Sequence, residues 1–255
     1  MSGQKIKSKA PPFEFGIYRE CGAGQFSHRD CTVMFYTRID ALLQPSSVLL
    51  NVGAGRGANI VEDYSPYRQK LQKFRGRAAR VLGIDVDPVV MENQDLDEAF
   101  HIGPDGRWPI ADSSVDIVVC DHVLEHVADP VAFAHEVSRV LRPGGWFCGR
   151  TPMKWGYIGI FTRLIPNRLH AALLRRLQPQ RLARDVFPTV YRINTFAAVR
   201  KLFSSDLWSD HSYGYNGVPG YHANSRILFR FIEIWCWLMP RSVSAKLHIF
   251  LQKKN

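Results

Sequence analysis

An apolar run of strand length that ends in three closely spaced glycines constrains the fold of this chain most. Residues 48–52 read Val-Leu-Leu-Asn-Val, and Gly53, Gly55 and Gly57 follow with one residue between neighbours. A run of this kind is typical of a buried strand in a parallel sheet, and glycines let the backbone turn tightly beside a ligand. Residues 58–61 are predicted to open a helix, whose N-terminus offers free N–H groups. Together these parts predict a corner that binds a nucleotide or a carboxylate.

The spacing of this corner leaves the class of cofactor open. Gly53, Gly55 and Ala58 satisfy the G-x-G-x-x-A form of the dinucleotide motif. A nicotinamide-dependent oxidoreductase is therefore one interpretation, and a glycine turn without any ligand is another. The motifs further along the chain discriminate between them.

Strands and helices alternate in the first part of the chain. Apolar runs predict strands, and 3.6-residue periodicity predicts helices. The predicted elements are a helix over Thr32–Leu43, strands over 48–52, 81–85, 99–102, 115–120 and 146–150, and a helix from Pro130 to Leu141. This alternation predicts a doubly wound parallel α/β sheet, in which ligands lie beyond the carboxyl ends of the strands.

Asp85 ends the second predicted strand, one strand after the glycine corner. A carboxylate at that position can accept both hydroxyls of a ribose. The alternative is that Asp85 only starts the turn Asp-Val-Asp-Pro, and the preceding glycine corner favours the ribose. In the loop over 103–110, Trp108 can lie against a flat base and Asp105 can accept from an exocyclic amine.

Charge is unevenly distributed along the 255 residues. The whole chain carries a formal charge of +10, yet residues 151–255 hold 16 basic and 4 acidic residues and so carry +12 by themselves. This asymmetry suggests an acidic partner, namely an anionic substrate, an anionic membrane or nucleic acid; a solvated basic face is the alternative. We expect no nucleic acid partner. The residues after the fourth predicted strand read Asp-His-Val-Leu over 121–124 and do not form an Asn-Pro-Pro-Tyr-like motif, which is typical of enzymes that flip a base.

The five cysteines are odd in number and lack C-x-x-C spacing, which predicts a reducing, cytoplasmic environment without disulfides or a zinc knuckle. The Lys-rich start over 1–12 has no apolar region like that of a signal peptide.

The longest apolar run, Ile227–Met239, is too short and too charged to span a bilayer. We interpret it as a core helix packed on residues 153–194. The alternative is an interfacial helix that seats Trp235 and Trp237 at a membrane surface.

Five motifs in a fixed order carry a family resemblance. They are Asn-Val-Gly-Ala-Gly-Arg-Gly over 51–57, Gly-Ile-Asp over 83–85, Trp-Pro-Ile-Ala-Asp-Ser-Ser-Val-Asp over 108–116, Val-Leu-Glu-His-Val over 123–127 and Arg-Val-Leu-Arg-Pro-Gly-Gly over 139–145. In this order the chain resembles the class I S-adenosylmethionine-dependent methyltransferases, specifically the type 11 group, over residues 45 to 152. An oxidoreductase has no reason to carry the last two motifs.

The resemblance implies a Rossmann-like α/β fold with a doubly wound, mostly parallel seven-stranded sheet whose last strand is antiparallel. The final strands are expected near Leu207–Tyr213 and Lys246–Gln252. The implied division is an N-terminal tail and lead-in over 1–30, a cofactor-binding core over 31–152, an α-helical cap insert after strand 5 that binds the acceptor over 153–194, and completion of the sheet with an apolar helix over 195–255.

The resemblance also implies S-adenosylmethionine as the cofactor. Gly53, Gly55 and Gly57 would pass close to its methionine part, Asp85 would hold the ribose, Val86 would pack on the adenine, and Asp105 or Trp108 would flank the base. The family usually has an acid where this chain has Asn51. An amide can still bond the ammonium of the cofactor, but it loses the charge attraction.

Methyl transfer is an in-line displacement that requires alignment of the two reactants and, for a hydroxyl acceptor, removal of a proton. His122 follows strand 4 and is the predicted base, with Glu125 as its orienting carboxylate. His126 would share their side of a helical turn. A more specific hypothesis is that these three side chains hold a metal ion. The alternative is that His126 has only a structural role, and we assign no metal. In the cap, the predicted acceptor-side residues are His170 and Asp185, with Tyr191 or Arg192 binding substrate through groups suited to anions.

The sequence therefore predicts an S-adenosylmethionine-dependent methyltransferase that acts on a small-molecule or glycan acceptor at a hydroxyl oxygen. The acceptor is expected to be anionic or lipid-linked, and the protein to be cytoplasmic or peripheral at the inner membrane face. The alternatives are an NAD-dependent oxidoreductase and a non-catalytic, methyltransferase-like binding module.

Overall fold

The computed structural model describes residues 12–57, 60, 63–164 and 188–255, with the backbone alone for 161–164. The strands are β1 Val48–Val52, β2 Arg80–Asp85, β3 Glu98–His101, β4 Val115–Asp121, β5 Leu141–Pro152, β6 Trp208–Asp210, β7 Tyr213–Tyr215 and β8 Lys246–Lys253. The α-helices are α1 Cys31–Leu42, α2 Pro66–Gln72, α3 Pro130–Val140, α4 Tyr157–Leu164, α5 Phe196–Leu202 and α6 Arg226–Leu238. The helix predicted to open at residues 58–61 lies mostly outside the described residues.

The strands form one sheet in the order β3-β2-β1-β4-β5-β8-β6, and β7 also pairs with β8. Strands β1 to β5 are parallel, whereas β8 runs antiparallel to β5 and to both β6 and β7. The predicted doubly wound, mostly parallel sheet is confirmed. It has eight strands because the predicted strand near Leu207–Tyr213 divides at a turn, in which the Ser212 N–H donates to Asp210 Oδ1 at 2.9 Å.

The sheet is buried on both faces, as its continuous apolar strands require. Neighbouring residues of β1 point to opposite sides: Leu50 packs with helices α3 and α5, and Leu49 packs with α1 and α2. Both leucines have no exposed surface. The two helical layers therefore fix the sheet between them and leave the carboxyl ends of β1, β2 and β4 at a common edge.

Local signals set the helix boundaries that place this edge. The Asp30 carboxylate caps α1 by accepting from the N–H groups of Thr32 and Val33 at 2.9 Å. Helix α3 begins with Pro130 and is capped by Asp129. The Arg-Pro-Gly-Gly stretch over 142–145, which follows the end of α3, lies within β5, where the register with β4 shifts. Strand β5 therefore starts earlier than predicted, at Leu141.

The predicted cap over 153–194 is described only in α4 and in residues 188–194, so its proposed boundaries stay a prediction. Among the described residues, none of the helices combines the length and the apolar character needed to cross a bilayer. The apolar run after residue 226 forms α6, which buries Phe229, Ile232 and Cys236.

Candidate active site

The glycine corner joins the carboxyl ends of β1, β2 and β4. Gly53 has a φ of +72°, and its N–H donates to the carbonyl of Ile84 at 2.8 Å. A Cβ atom at Gly53 would lie 2.2 Å from Cγ2 of Val123, in the segment after β4. Only glycine meets both the backbone angle and this close approach. The corner is therefore in direct contact with the segment that carries His122.

Asp85 lies beside the corner and keeps capacity for a ligand. Its Oδ2 accepts the Gly55 N–H at 2.8 Å, and its Oδ1 accepts the Asp87 N–H at 2.9 Å. A carboxylate offers about four lone-pair sites, so both oxygens can still accept a ribose hydroxyl. Val86 follows with 68% of its surface exposed, which leaves it open to pack on an adenine. These two positions fit a nucleoside.

The Trp108 side chain lies in the protein core and not at the surface, where it could flank the adenine of a cofactor. Its side chain is 5% exposed, and its ring packs edge-on against Phe133 with centroids 5.5 Å apart. The Trp108 N–H donates to Glu136 at 2.7 Å. Trp108 is therefore part of the core beneath α3, and this placement argues against contact with a base. Asp105 accepts the Arg107 N–H at 3.3 Å in an exposed loop and stays a prediction as a partner of the base.

Asn51 lines a small cavity on the α1 side of the corner. Tyr36, Gly53 and Asp121 also line it, and its volume is about 40 Å³. This volume suits one or two water-sized groups and is far below that of a site for a whole ligand, roughly 300 Å³ or more. Asp85 and Val86 do not line this cavity, so it is separate from the positions that fit the nucleoside. The polar groups around it fit an amino-acid head group.

A buried ion pair connects the ends of β4 and β5. The Arg150 guanidinium donates to both oxygens of Asp121, at 2.7 and 2.6 Å, and to Thr32 Oγ1 at 3.0 Å. The Tyr36 hydroxyl donates to Asp121 at 3.0 Å. Burial disfavours the Asp121 charge, but Arg150 outweighs it and keeps the pKa of Asp121 below its usual range. This pair ties helix α1 to the sheet edge and keeps Asp121 ionised.

His122 is held between an acid and a cation. Its Nδ1 lies 3.1 Å from Glu125 Oε1, and its Nε2 lies 3.2 Å from Lys246 Nζ. Both contacts are satisfied when Nδ1 carries the proton and Nε2 accepts from the ammonium. Burial and the Lys246 charge lower the pKa of His122. A neutral imidazole with a lone pair at Nε2 has the properties of a general base.

The backbone of His122 is also unusual, with a φ of +59°. Residues other than glycine seldom adopt this left-handed conformation, and such strain is concentrated at functional sites. The His122 N–H donates to the Arg150 carbonyl at 2.8 Å, which continues the strand pairing for one residue beyond β4. The imidazole is 39% exposed, so one side of it stays accessible.

Glu125 is fixed by a second group of polar residues. Its Oε2 accepts the Thr151 hydroxyl at 2.8 Å, and Thr151 in turn accepts from Asn194 Nδ2 at 2.5 Å. Burial opposes ionisation, but the hydrogen bond from His122 lowers the pKa of Glu125 to about 2. Asn194 is fully buried and its Oδ1 has no partner among the described residues. Glu125 therefore has the ionisation and the support needed to orient His122.

The predicted trio of His122, Glu125 and His126 does not assemble. His126 is turned away, and its Nδ1 lies 2.7 Å from the Pro188 carbonyl. Within the described part of the chain, no group of three His, Cys, Asp or Glu side chains is placed to hold a metal ion. The structural interpretation of His126 fits this placement.

The predicted acceptor-side residues are only partly described. His170 and Asp185 lie outside the described residues. Tyr191 is buried with a φ of +52°, and its N–H donates to the Glu125 carbonyl at 3.2 Å. Arg192 is exposed and donates to the Ala128 carbonyl at 2.5 Å. Both residues thus lie beside the segment that carries Glu125, and their substrate role stays a prediction.

A further polar chain lies behind the Asp121–Arg150 pair. The Cys31 sulfur is 3.2 Å from His248 Nε2, and His248 Nδ1 is 3.1 Å from the Tyr213 hydroxyl. Burial, together with the nearby Arg150 charge, lowers the pKa of His248 to about 2. His248 is therefore neutral and serves to connect α1 with β7 and β8.

Comparison with known proteins identifies the domain. Residues 50–149 match the family model of the type 11 methyltransferase domain. Over residues 50–149 the chain has a class I methyltransferase domain of the type 11 family. A protein of Mycolicibacterium smegmatis named as a probable S-adenosylmethionine-dependent methyltransferase is 36% identical over 104 residues, which cover 39% of this chain and 35% of that protein. A human thiol S-methyltransferase is 38% identical over 109 residues, covering 39% and 40%.

The chain thus spans at most about two fifths of the length of these relatives.

Solved structures show the same fold as this methyltransferase domain at low identity. An S-adenosylmethionine-dependent methyltransferase of Archaeoglobus fulgidus has a TM-score of 0.52 at 14% identity and covers 89% of this chain and 95% of its own. The cyclase SpnF has a TM-score of 0.54 at 15% identity, covering 91% and 84%. The fold alone therefore does not fix the reaction.

Lys246 and Arg150 are the site residues that the sequence reasoning missed. Lys246 lies at the first position of the last predicted strand, 124 residues from His122, and no local pattern connects the two. Arg150 carries a detectable signal, because a charged residue ends an apolar run directly opposite the end of β4. Parallel neighbours of this kind meet at one sheet edge, which predicts a partner for Asp121.

Proposed function

We propose that this protein transfers a methyl group from S-adenosylmethionine to a hydroxyl oxygen of an anionic small-molecule or glycan acceptor. The observation that carries the proposal is the neutral His122 imidazole, which is oriented by Glu125 and lies in the segment that contacts the glycine corner. A base beside the methionine end of the cofactor is what a hydroxyl acceptor requires. The family match over residues 50–149 supports the cofactor.

The residues around the corner fit this cofactor. Asp85 would hold the ribose hydroxyls with its remaining lone pairs, and the exposed Val86 would pack on the adenine. Asn51 and the glycines would receive the methionine part. When bound, S-adenosylmethionine would supply a methyl group on a sulfonium, and its sulfur would keep the electron pair of the broken S–C bond and leave as a neutral thioether. The chain itself binds, aligns and removes a proton.

His122 would take the acceptor proton at Nε2 while the acceptor oxygen forms its bond to the methyl carbon. Glu125 keeps the proton on Nδ1 and stabilises the imidazolium that results. Lys246, now at Nε2, would move to the acceptor oxygen and stabilise its developing negative charge. The proton ends on His122, the methyl on oxygen, and the sulfonium charge is neutralised, so charge and atoms balance.

The anionic nature of the acceptor rests on charge. The Lys246 ammonium lies beside His122, the proposed general base, and residues 151–255 carry a formal charge of +12. A lipid-linked acceptor belongs to the same proposal. The basic surplus attracts anionic substrates over a distance. Arg150 is not free to bind the acceptor, because its Nε and Nη2 already donate to Asp121 and its Nη1 donates to Thr32.

A thiol acceptor is the second candidate. Two relatives at 36–38% identity over about two fifths of this chain are named thiol S-methyltransferases. A thiol has a pKa near 8.5, so the same imidazole and ammonium would generate a thiolate more readily than an alkoxide. Parallel assays with matched hydroxyl and thiol acceptors distinguish the two, since the proposal requires faster turnover of the hydroxyl.

Calorimetric titration tests the cofactor. The purified protein, Asp85→Ala and the matched control Asp87→Ala are titrated with S-adenosylmethionine, S-adenosylhomocysteine and NAD. We expect the first two to bind and NAD not to bind, with binding lost in Asp85→Ala and kept in Asp87→Ala. Asp87 is a suitable control because its carboxylate only caps the short helix that follows, accepting from Val89 at 2.9 Å. Binding of NAD alone would support the oxidoreductase, and a folded protein that binds none of the three would support a non-catalytic module.

A further inference from the structure

Helix α6 has a second apolar side that faces solvent. Phe229, Ile232 and Cys236 form its buried side. The opposite side carries a stripe of large apolar residues at helical spacing: Ile227 (84% exposed), Phe231 (62%), Ile234 (58%), Trp235 (44%) and Leu238 (62%). We call these five residues the α6 stripe. A contiguous apolar stripe of this kind on a protein surface marks a site of interaction.

The helix is anchored so that the stripe stays outside. The carboxylate of Glu233 accepts from the Tyr18 hydroxyl and from Arg29 Nη1, the latter at 2.8 Å. Phe229 packs against the Tyr18 ring with centroids 6.0 Å apart. Rotation of α6 to bury the stripe would break this ion pair and expose Phe229. The orientation of the helix is therefore set by its own polar contacts.

The charged residues beside the α6 stripe are basic. Arg226 and Arg230 are exposed on the helix and Arg241 is exposed just after it. The one acidic residue of α6, Glu233, has an 11% exposed side chain; its Oε1 pairs inward with Arg29 and its Oε2 accepts from Arg230 Nη1 at 2.6 Å. Its charge is therefore neutralised, and Arg226 and Arg241 add net positive charge at this surface. Trp237, 82% exposed, lies on the same side as Arg226 and Arg230. The surface thus combines apolar and aromatic groups with arginines at its border.

We propose that α6 binds the surface of an anionic lipid bilayer, with the α6 stripe in the boundary between head groups and acyl chains. Basic residues next to a Trp-, Phe- and Ile-bearing face are the composition of helices that lie in a membrane interface. With 13 residues the helix is about 20 Å long, shorter than the roughly 30 Å hydrocarbon core. It therefore lies in the plane of the surface, with the arginines on lipid phosphates.

A short link joins this surface to the candidate active site. Asn216 Nδ2 donates to the Cys236 carbonyl of α6 at 2.9 Å, and Asn216 Oδ1 accepts the Ala245 N–H at 2.8 Å. Ala245 directly precedes Lys246, the partner of His122. A protein bound through α6 would thus hold its acceptor site close to the membrane, which suits a lipid-linked acceptor. That last consequence rests on the proposed function; membrane binding does not.

Flotation with lipid vesicles tests the surface. The protein of 255 residues is mixed with vesicles of phosphatidylcholine alone or of phosphatidylcholine with phosphatidylglycerol, at low and high salt. The apolar variant is Phe231→Gln with Trp235→Gln, and the charge variant is Arg226→Gln with Arg230→Gln. The matched control is Val131→Gln with Leu207→Gln, which removes apolar side chains of similar exposure (70% and 61%) from other parts of the surface.

We expect the wild type and the control to bind the anionic vesicles, and the apolar variant to bind at least roughly tenfold more weakly. The charge variant should lose the preference for anionic lipid, and salt should weaken wild-type binding. Tryptophan emission should shift to shorter wavelength on binding, and Trp237→Phe should reduce that shift. Unchanged S-adenosylmethionine affinity in the apolar variant would show that it is folded.

Three results would overturn the membrane surface. They are no excess binding to anionic vesicles, equal binding of the apolar variant and the wild type, and a protein that dimerises through the α6 stripe, becomes monomeric in the apolar variant and ignores vesicles. Failure of the proposed function looks different. In that case the wild type binds vesicles as expected but binds no S-adenosylmethionine.

Discussion

The Nζ atom of Lys246 lies 3.2 Å from Nε2 of His122, although 124 residues separate them in the chain. Antiparallel pairing of β8 with β5 brings the start of β8 to the carboxyl end of β4. Desolvation of the partly exposed ring and the Lys246 ammonium both lower the pKa of His122, while Glu125 on the other ring nitrogen opposes them. Lys246 therefore helps to keep His122 in the neutral form that a base needs.

Removal of the Lys246 charge should shift the pH dependence of catalysis. In Lys246→Met, His122 loses a repelling cation but keeps Glu125, so its pKa rises. Because the base must be neutral, activity increases with pH through this pKa, and the acidic limb of kcat/KM should move to higher pH. The profile of kcat/KM against pH measures the shift. Lys201→Met, at an exposed position of α5, is the control, and an acidic limb that stays in place in Lys246→Met would contradict the pairing.

Substitution of His122 should slow methyl transfer without weakening cofactor binding. A positioned general base typically contributes about 10² to 10⁴ in rate, so His122→Asn should lower kcat by a factor in that range. His126→Asn is the matched control, because His126 lies in the same segment but faces the Pro188 carbonyl. Single-turnover rates and calorimetry measure the two effects. Equal rates for both variants would remove His122 from its role and direct attention to His170 and Asp185.

The sheet could be predicted closely because its signals are local. The predicted bounds of β1 match the structure, and those of β2 and β4 differ by one residue. Each is a continuous apolar run, and burial on both faces demands such a run. The glycine corner with Asp85 is equally local, since the turn and the strand end are adjacent in sequence. Thr195 is a local signal of the same kind, since a threonine directly before a helix favours an N-cap, and its hydroxyl caps α5 by accepting from the Ala198 N–H at 3.1 Å.

The parts that could not be predicted depend on contacts between distant segments. The position of Trp108 is decided by Phe133 on α3, which turns its ring into the core, and the local sequence is compatible with either location. Lys246 reaches His122 only through the order of the strands in the sheet. The outer side of α6 was ambiguous, because helical periodicity does not reveal that the anchored Glu233 turns five apolar residues to the surface.

Asn51→Asp should strengthen S-adenosylmethionine binding. A carboxylate at this position would bond the ammonium of the cofactor with charge assistance, which is roughly twice as strong as a neutral hydrogen bond. An affinity gain of about five- to tenfold corresponds to roughly 1 kcal/mol. Without the cofactor, the added charge lies in the cavity that Asp121 also lines, so the melting temperature should fall. Calorimetry and thermal melting measure both changes. Asn51→Ala is the control and should weaken binding; an Asp variant that binds no better would locate the ammonium elsewhere.

Acid should destabilise the fold partly through Glu125. Its folded-state pKa is about 2, below the ordinary value of 4.5. A lowered pKa contributes stability that is complete above the unfolded-state value and is lost as pH falls from about 4.5 towards 2. The shift corresponds to on the order of 3 kcal/mol. Urea unfolding at several pH values should therefore show a shallower pH dependence in Glu125→Gln. Glu98→Gln, which removes a carboxylate from an exposed pair with Arg80, should change stability by about 0.5 kcal/mol or less.

Gly53→Ala should damage both the fold and the corner, for two separable reasons. The φ of +72° costs an L-residue about 1–2 kcal/mol, and the new Cβ would lie 2.2 Å from Val123 Cγ2. Gly76→Ala is the matched control: its φ is +81°, but nothing lies within 4 Å of its Cβ, so it carries the backbone cost alone. Urea unfolding should show a larger loss for Gly53→Ala, and Val123→Ala in the same chain should recover the steric part. Only the Gly53 variants should lose S-adenosylmethionine affinity, because Gly76 lies far along the chain from the corner. Equal loss of stability at the two glycines would mean that the segment after β4 shifts to accommodate the new side chain. The glycine corner would then not be in tight contact with the segment that carries His122.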